Sequence, residues 1–258
     1  MTDELSPLVD TLVTAVHDRR ATSPLTDSRE LDEQTALRVQ DAVVRARIDA
    51  GATLVGAKLG LTSAAKQRQM KVDRPLYGWL TDDMQVDTGA AVLCERYIQP
   101  RVEPEIAFLL GRDLEGPQVT AAHVLAATEA VFGAVDILDS RYAGYAFTFN
   151  DVVADNASSA GFVLGGTPLD PYGVDLRLTG CVLEKNGELV STAAGAAVMG
   201  HPAAAVAWLV RALAARGRGL AGGQVVMAGG LTEAVAVAPG DTVVATFDRL
   251  GSVEIPFR

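Results

Sequence analysis

A chain of 258 residues, 49% hydrophobic and 21% charged, has material for one large domain or for a core domain with a smaller appendage. Its formal net charge of -10 and its lack of any basic run argue against a nucleic-acid partner, because phosphate binding needs clustered Lys and Arg. No uncharged apolar run is long enough to span a bilayer: the Ala-rich stretch from Ala203 to Val210 is short and stops at Arg211. Met1-Thr2-Asp3-Glu4-Leu5 lacks the basic-then-apolar pattern of a secretory signal. Cys94 and Cys181 read as two reduced thiols, so a cytoplasmic setting is expected.

In chain order, Leu8, Leu12, Val13 and Val16 form an apolar stripe that predicts a helix over Leu5 to Arg20. A second helix is expected from a cap at Ser28, with Ala36, Val39, Val43 and Ala46 on its apolar face and Gly51 as its stop. Leu54 to Ser63, short and broken by glycines, reads as a strand entering a loop, and Ala64 to Met70 as a short polar helix. Strands and turns dominate from about Val86. Thr120 is expected to cap a helix running to about Phe132, followed by a buried strand over Ala134 to Leu138. Asn186-Gly187 predicts a hairpin between Leu176–Glu184 and Glu188–Thr192. His201-Pro202 opens a helix carrying Val206, Leu209, Val210 and Leu213, which Gly217 stops. Four short strands follow, at 224–228, 234–237, 242–247 and 252–257. The pattern is α+β: a helical N-terminal region over 1–85 and a strand-rich domain over 86–258.

Several chemistries are excluded by their missing motifs. His17, His123 and His201 form no HExxH or HxxxH pattern, and no Walker loop, GxGxxG or GxSxG element is present. His201 reads as a helix-start residue. Carboxylates remain. In Val102-Glu103-Pro104-Glu105-Ile106, a strand would point Glu103 and Glu105 to one face, where two like charges repel unless a proton or a cation lies between them. Spacing alone leaves two solvated glutamates at a strand end as the alternative. Asp136 lies in an apolar strand, where a carboxylate is costly unless paired or bound to a cation; Arg101 and Arg141 are candidate partners. Asp139 reads as a partner of Arg141 or a turn residue. Lys58, among Val55, Gly56, Ala57, Leu59 and Gly60, is either a snorkelling surface lysine or a cation facing an anionic substrate.

At these residues the chain resembles the hydratase/decarboxylase family of aromatic meta-cleavage pathways, within the fumarylacetoacetate hydrolase superfamily. The resemblance runs over nearly the whole chain from about Val55. It is carried by Lys58-Leu59-Gly60-Leu61-Thr62-Ser63, Val102-Glu103-Pro104-Glu105-Ile106-Ala107-Phe108, Asp139-Ser140-Arg141, Ala154-Asp155-Asn156-Ala157-Ser158-Ser159 and Gly200-His201-Pro202. Stretches such as Pro75-Leu76-Tyr77-Gly78-Trp79-Leu80-Thr81-Asp82 look more like its decarboxylase branch.

The resemblance implies a mixed β-roll domain with a helical N-terminal region, and a Mg²⁺ or Mn²⁺ ion held by Glu103, Glu105 and Asp136. Asp136 stands where most relatives carry a glutamate one methylene longer. It further implies Lys58 and Asp82 as catalytic residues and Ser158 as a substrate-binding residue. The activity implied is decarboxylation of the dicarboxylic oxo-acid 2-oxo-3-hexenedioate to 2-hydroxypenta-2,4-dienoate. Hydration of that dienoate, or a non-catalytic role beside a hydratase, are the alternatives. A homo-oligomer and a complex with a cognate hydratase are expected on the same basis, with no nucleic acid and no membrane.

Overall fold

In the computed structural model, which describes residues 4–258 (and of Gln69 and Met70 only the backbone), two helices lead into the first strand. The acidic start at Met1 to Asp3 lies outside the described residues. Helices α1 (Ser6–Asp18) and α2 (Glu33–Asp49) bury Leu8, Leu12, Ala36 and Val39 in a small core of their own, shared with α5 (Phe149–Ala154) through Val152 and Val153. Asp32, not Ser28, caps α2: its carboxylate accepts the Thr35 N–H at 2.6 Å. The Ser28 hydroxyl is instead spent on the Leu25 carbonyl, 2.9 Å away.

The larger sheet takes β1 (Leu54–Gly60), β2 (Leu76–Thr81), β3 (Arg101–Leu110), β4 (Thr128–Leu138), β5 (Ser159–Leu164) and the short β8 (Val225–Met227) in the order β2-β1-β8-β3-β4-β5. β9 (Val235–Ala236) adds to the end of β3. Only β1 and β8 run parallel; the other pairs are antiparallel. β1 and β2 both precede residue 85, so the expected boundary there falls after two strands of this sheet. Helix α3 (Ala64–Met70) lies between them, capped by Ser63.

Helix α4 (Ala121–Ala127) is shorter than its periodicity predicts. From Thr128 the chain is already strand, because Val131 and Phe132 sit opposite Phe108 and Ala107 in the longest ladder of the molecule. Pairing and burial override a helical pattern that Leu125 and Val124 alone would carry. A smaller sheet, β11 (Gly251–Pro256), β10 (Thr242–Phe247), β6 (Gly180–Lys185) and β7 (Glu188–Ala194) in that order, packs against β4. The β6–β7 turn has Asn186 at φ 56° and Gly187 at φ 78°, the left-handed pair that a two-residue hairpin demands. Gly133 on β4 lets the Phe247 ring lie against the backbone; a Cβ there would meet the ring at 2.4 Å.

Helix α6 (Pro202–Ala214) opens on His201, whose Nδ1 accepts the Ala203 N–H at 3.0 Å, the helix-start role its place before proline predicts. The stretch Gly195–Ala214 is apolar and long enough to cross a membrane by composition, yet α6 buries Val206, Leu209, Val210 and Leu213 in the core. Mixed strands, curled sheets and flanking helices make this the α+β roll that the chain's pattern implied.

Candidate active site

The site begins as an interruption in hydrogen bonding along β3. On the side away from β4, β8 covers Ala107 to Leu109 and β9 covers Arg101 and Val102, leaving 103–106 without a strand partner. The loop 228–231 fills this gap: Ala228 N–H donates to the Ile106 carbonyl and Leu231 N–H to the Pro104 carbonyl. Pro104, which has no N–H, therefore sits inside a strand where the ladder is already broken. The gap also lets the side chains of this face reach a cavity.

Period-two geometry puts Arg101, Glu103 and Glu105 on the same face of β3, and the register sets Asp136 of β4 directly opposite Glu103. Glu105, Asp136 and Lys58 are buried, at 0%, 0% and 1% exposure. The Lys58 ammonium donates to Asp136 Oδ2. This corrects the expected arginine partner of Asp136. β1 and β4 are three places apart in the sheet, which in a flat sheet would separate them by about 14 Å. The contact exists because the sheet curls.

Each of the three carboxylates commits one oxygen to the protein. Glu103 Oε1 accepts from Lys66 Nζ at 2.8 Å, and Glu105 Oε2 accepts from the Gly229 N–H at 2.7 Å. Among the described residues, Glu105 Oε1 and Asp136 Oδ1 are buried with no hydrogen-bond partner. Gly230 is part of this cradle, since a Cβ there would stand 1.9 Å from Glu103 Oε2. Burial pushes the Glu105 carboxyl well above the usual carboxylate range, and the neighbouring Asp136 charge pushes it further, against the pull of Lys58. Burial raises Asp136 too, with Lys58 opposing. Among the described residues no three His, Cys, Asp or Glu side chains are already gathered into a cation cage, because lysines are interleaved with the acids. The donor set nevertheless fits a hard cation: it is all-oxygen, and among the described residues nothing satisfies the buried lone pairs of Glu105 and Asp136.

A cavity of about 150 Å³ opens against this cluster. Lys58, Lys66, Arg101, Glu103 and Ser158 supply its polar wall, and Leu61, Leu76, Leu138, Phe147 and Val152 its apolar one. Ser158 reaches it from a turn of unusual backbone: Asn156, Ala157 and Ser158 all lie in the left-handed region, at φ 51°, 56° and 56°. The Asn156 side chain fixes the turn by accepting from Trp79 N–H at 2.7 Å and donating to the Trp79 carbonyl at 2.9 Å. Behind it, Arg141 grips Asp155 through its carboxylate and its carbonyl, and also donates to the carbonyls of Asp139 and Ser159. Burial still lifts the Asp155 carboxyl to about 6 against the arginine's pull.

Two expectations are corrected here. Asp139 does not pair with Arg141; its carboxylate accepts the backbone N–H groups of Ile98 and Gln99 at 2.8 and 2.7 Å. Asp82 does not line the cavity. It is exposed at the end of β2 and accepts from Thr53 and Asp83 N–H groups, which hold its carboxyl below the ordinary value. Lys66 and Arg101, in contrast, are cavity residues that motif reading passed over. The alternation of β3 was the available signal for Arg101, two residues before Glu103.

Residues 53–258 match the family model described as fumarylacetoacetate (FAA) hydrolase C-terminal. The chain is 44% identical over 231 residues to a 4-oxalocrotonate decarboxylase of Pseudomonas putida, covering 90% of this chain and 88% of that protein. It is 41% identical over 248 residues to a 2-keto-4-pentenoate hydratase of Paraburkholderia xenovorans, covering 96% and 92%. A solved structure of 4-oxalocrotonate decarboxylase from Pseudomonas putida, complexed with magnesium and adipate, superposes with a TM-score of 0.97 at 40% identity, covering 100% of this chain and 98% of that one. With four-fifths of its length inside the family model and relatives of this closeness along nearly all of it, the chain belongs to the fumarylacetoacetate hydrolase C-terminal family.

Proposed function

We propose that this chain is a divalent-metal-dependent carboxy-lyase that converts 2-oxo-3-hexenedioate (4-oxalocrotonate) to 2-hydroxypenta-2,4-dienoate and CO₂. The observation that carries the reading is the pair of unpartnered buried oxygens, Glu105 Oε1 and Asp136 Oδ1, beside Glu103 at the polar wall of an otherwise apolar cavity. Glu103, Glu105 and Asp136 would hold Mg²⁺ or Mn²⁺, the hard ions suited to such a donor set. When bound, the ion supplies Lewis acidity at the 2-oxo end of the substrate.

The protein's own groups account for the remaining steps. As the C5–C6 bond breaks, its electron pair moves through the conjugated chain and negative charge develops on the 2-oxygen. Lys58, its ammonium anchored by Asp136 and facing the cavity, stabilises that charge and delivers the proton that completes the product. Ser158, on a turn clamped from two sides, orients the substrate. The walls of Leu61, Leu76, Phe147 and Val152 exclude water, which favours departure of neutral CO₂ and disfavours addition of water to the diene. Asp82, outside the cavity, has no part in this scheme.

Hydration of 2-hydroxypenta-2,4-dienoate is the second reading, supported by the relative at 41% identity that carries the hydratase name. The setting proposed is a soluble cytoplasmic homo-oligomer, with a cognate hydratase as a partner. The deciding experiment offers each substrate with Mg²⁺ and again with EDTA. Release of CO₂ from the diacid, abolished by EDTA, is the expected result. Water uptake by the dienoate with no CO₂ from the diacid replaces the decarboxylase by the hydratase. Failure to bind Mg²⁺ in a calorimeter points instead to a non-catalytic partner.

A further inference from the structure

We propose that Arg101 is the receptor for a second carboxylate on the substrate, making the cavity selective for diacids over monoacids; this rests on the metal-site reading above. Arg101 lies on the face of β3 that carries Glu103 and Glu105, and its guanidinium stacks over the Tyr145 ring, 3.9 Å from the centroid. That shelf is rigid. The Tyr145 hydroxyl donates to the Leu138 carbonyl at 3.1 Å and lies 3.2 Å from the Gln99 carbonyl. The Gln99 amide in turn ties down the backbone of Ser140, Tyr142 and Gly144.

The ring takes one face of the guanidinium and leaves its edge N–H groups, which form a fork matched to a carboxylate. Among the described residues none accepts a hydrogen bond from that fork, and no ion pair engages it. This is unusual for a half-buried arginine, and the contrast with the other two cations of the cavity is direct. Lys58 is bound by Asp136 and Lys66 by Glu103, whereas Arg101 faces the same cavity with its charge uncommitted. In a chain of net charge -10, an anionic substrate needs such a locally positive point.

Distance supports a second anchor separate from the first. Arg101 stands one strand repeat from Glu103, about 7 Å along β3. An extended six-carbon diacid separates its end carbons by about 6 Å. A substrate whose oxo-acid end lies at the Glu103–Glu105–Asp136 cluster would present its far carboxylate to the Arg101 fork, with the apolar wall along the carbons between. A five-carbon dienoate with one carboxylate has nothing to offer there.

The test compares adipate with hexanoate, equal in carbon count and different by one carboxylate, by calorimetry on the Mg²⁺-loaded full chain. The native protein is expected to prefer adipate by about tenfold or more, as a charge-assisted pair would give. Arg101→Met should reduce that preference to under about threefold, and Arg101→Lys should keep part of it, since it retains the charge without the fork. Arg101→Gln serves as a second neutral variant should the first unfold. An unchanged preference in a folded neutral variant, or no preference in the native chain, overturns the proposal.

Turnover gives an independent readout. Because the far carboxylate is the group that leaves as neutral CO₂, its contact with Arg101 is lost towards the transition state. The neutral variants should therefore raise KM for the diacid without lowering kcat, and a fall in kcat at constant KM overturns the assignment. Mg²⁺ titration of each protein separates this result from failure of the metal reading. If the native chain binds no Mg²⁺, the adipate–hexanoate comparison is repeated without metal and still reports on Arg101 alone.

Discussion

Among the described residues two ion pairs are fully buried, and they are built in opposite ways. Arg141–Asp155 is saturated: the guanidinium donates to the carboxylate of Asp155 and to three backbone carbonyls, and the carboxylate also receives the Arg141 N–H and the Ser158 hydroxyl. Lys58–Asp136 is open, with one Asp136 oxygen and one oxygen of the adjacent Glu105 left unmet in the interior. A saturated pair can only hold structure in place. An open pair keeps valence for something that is not protein, and this distinguishes a strut from a site better than burial or charge does.

The largest effect should come from breaking the strut. Arg141→Met leaves the Asp155 carboxyl buried without its cation, so a loss of about 3–5 kcal/mol is expected in urea-induced unfolding. Next is the open cluster. Glu105→Gln keeps the shape and an acceptor for the Gly229 N–H, so the fold should survive. Turnover should nevertheless fall at least about 100-fold, the upper range seen when only the surroundings of a metal ligand are altered. Full retained turnover would sink the metal assignment, and a collapse of stability would make Glu105 a second strut.

The smallest effect tests the same contrast at a helix end. Burial holds the His201 imidazole below its ordinary value of 6.5, with Asp175 opposing. Its neutral Nδ1 caps α6, and protonation turns that acceptor into a donor. A base with a depressed folded value binds protons more readily when unfolded. Its contribution is thus present above pH 6.5 and lost as pH falls through the depressed value. His201→Ala should cost about 1 kcal/mol at pH 8, and the gap from the native chain should be smaller at pH 5. Equal gaps at both pH values would show that the imidazole is packing and not a cap.

Periodicity and turn chemistry made much of this fold readable in advance. α6, with proline in its first turn, and the Asn186-Gly187 hairpin follow from local rules that tertiary structure did not have to override. β2 was invisible as an element because all six of its residues are buried, so Leu76 to Thr81 shows no alternation. The end of α4 and the cap of α2 were misplaced where pairing with β3, or a nearer carboxylate, outbid a plausible signal.

The site was half legible. Glu103 and Glu105 share a face by strand period alone, and Lys58 stands out as a charge among small apolar residues. The partner of Asp136 was not legible, because the curl that brings β1 over to β4 is a property of the whole sheet. Nor was the isolation of Asp82, since a turn aspartate and a cavity aspartate read alike until the backbone is placed.

The turn at Asn156, Ala157 and Ser158 carries a consequence for how this protein tolerates change. Three non-glycine residues in succession hold the left-handed region, which asparagine tolerates but which disfavours Ala157 and Ser158 by roughly 1–2 kcal/mol each. Ala157→Gly would remove that steric burden at one position, and would also widen the choices of the unfolded chain by about 0.5–1 kcal/mol. The two effects nearly cancel in a melting curve. They do not cancel in the folded chain, where glycine lets the turn sample more than one shape and Ser158 loses its single address. Such a substitution would pass a screen for stability while blurring the cavity wall, and side-chain bulk at position 157 thus acts as a conformational filter.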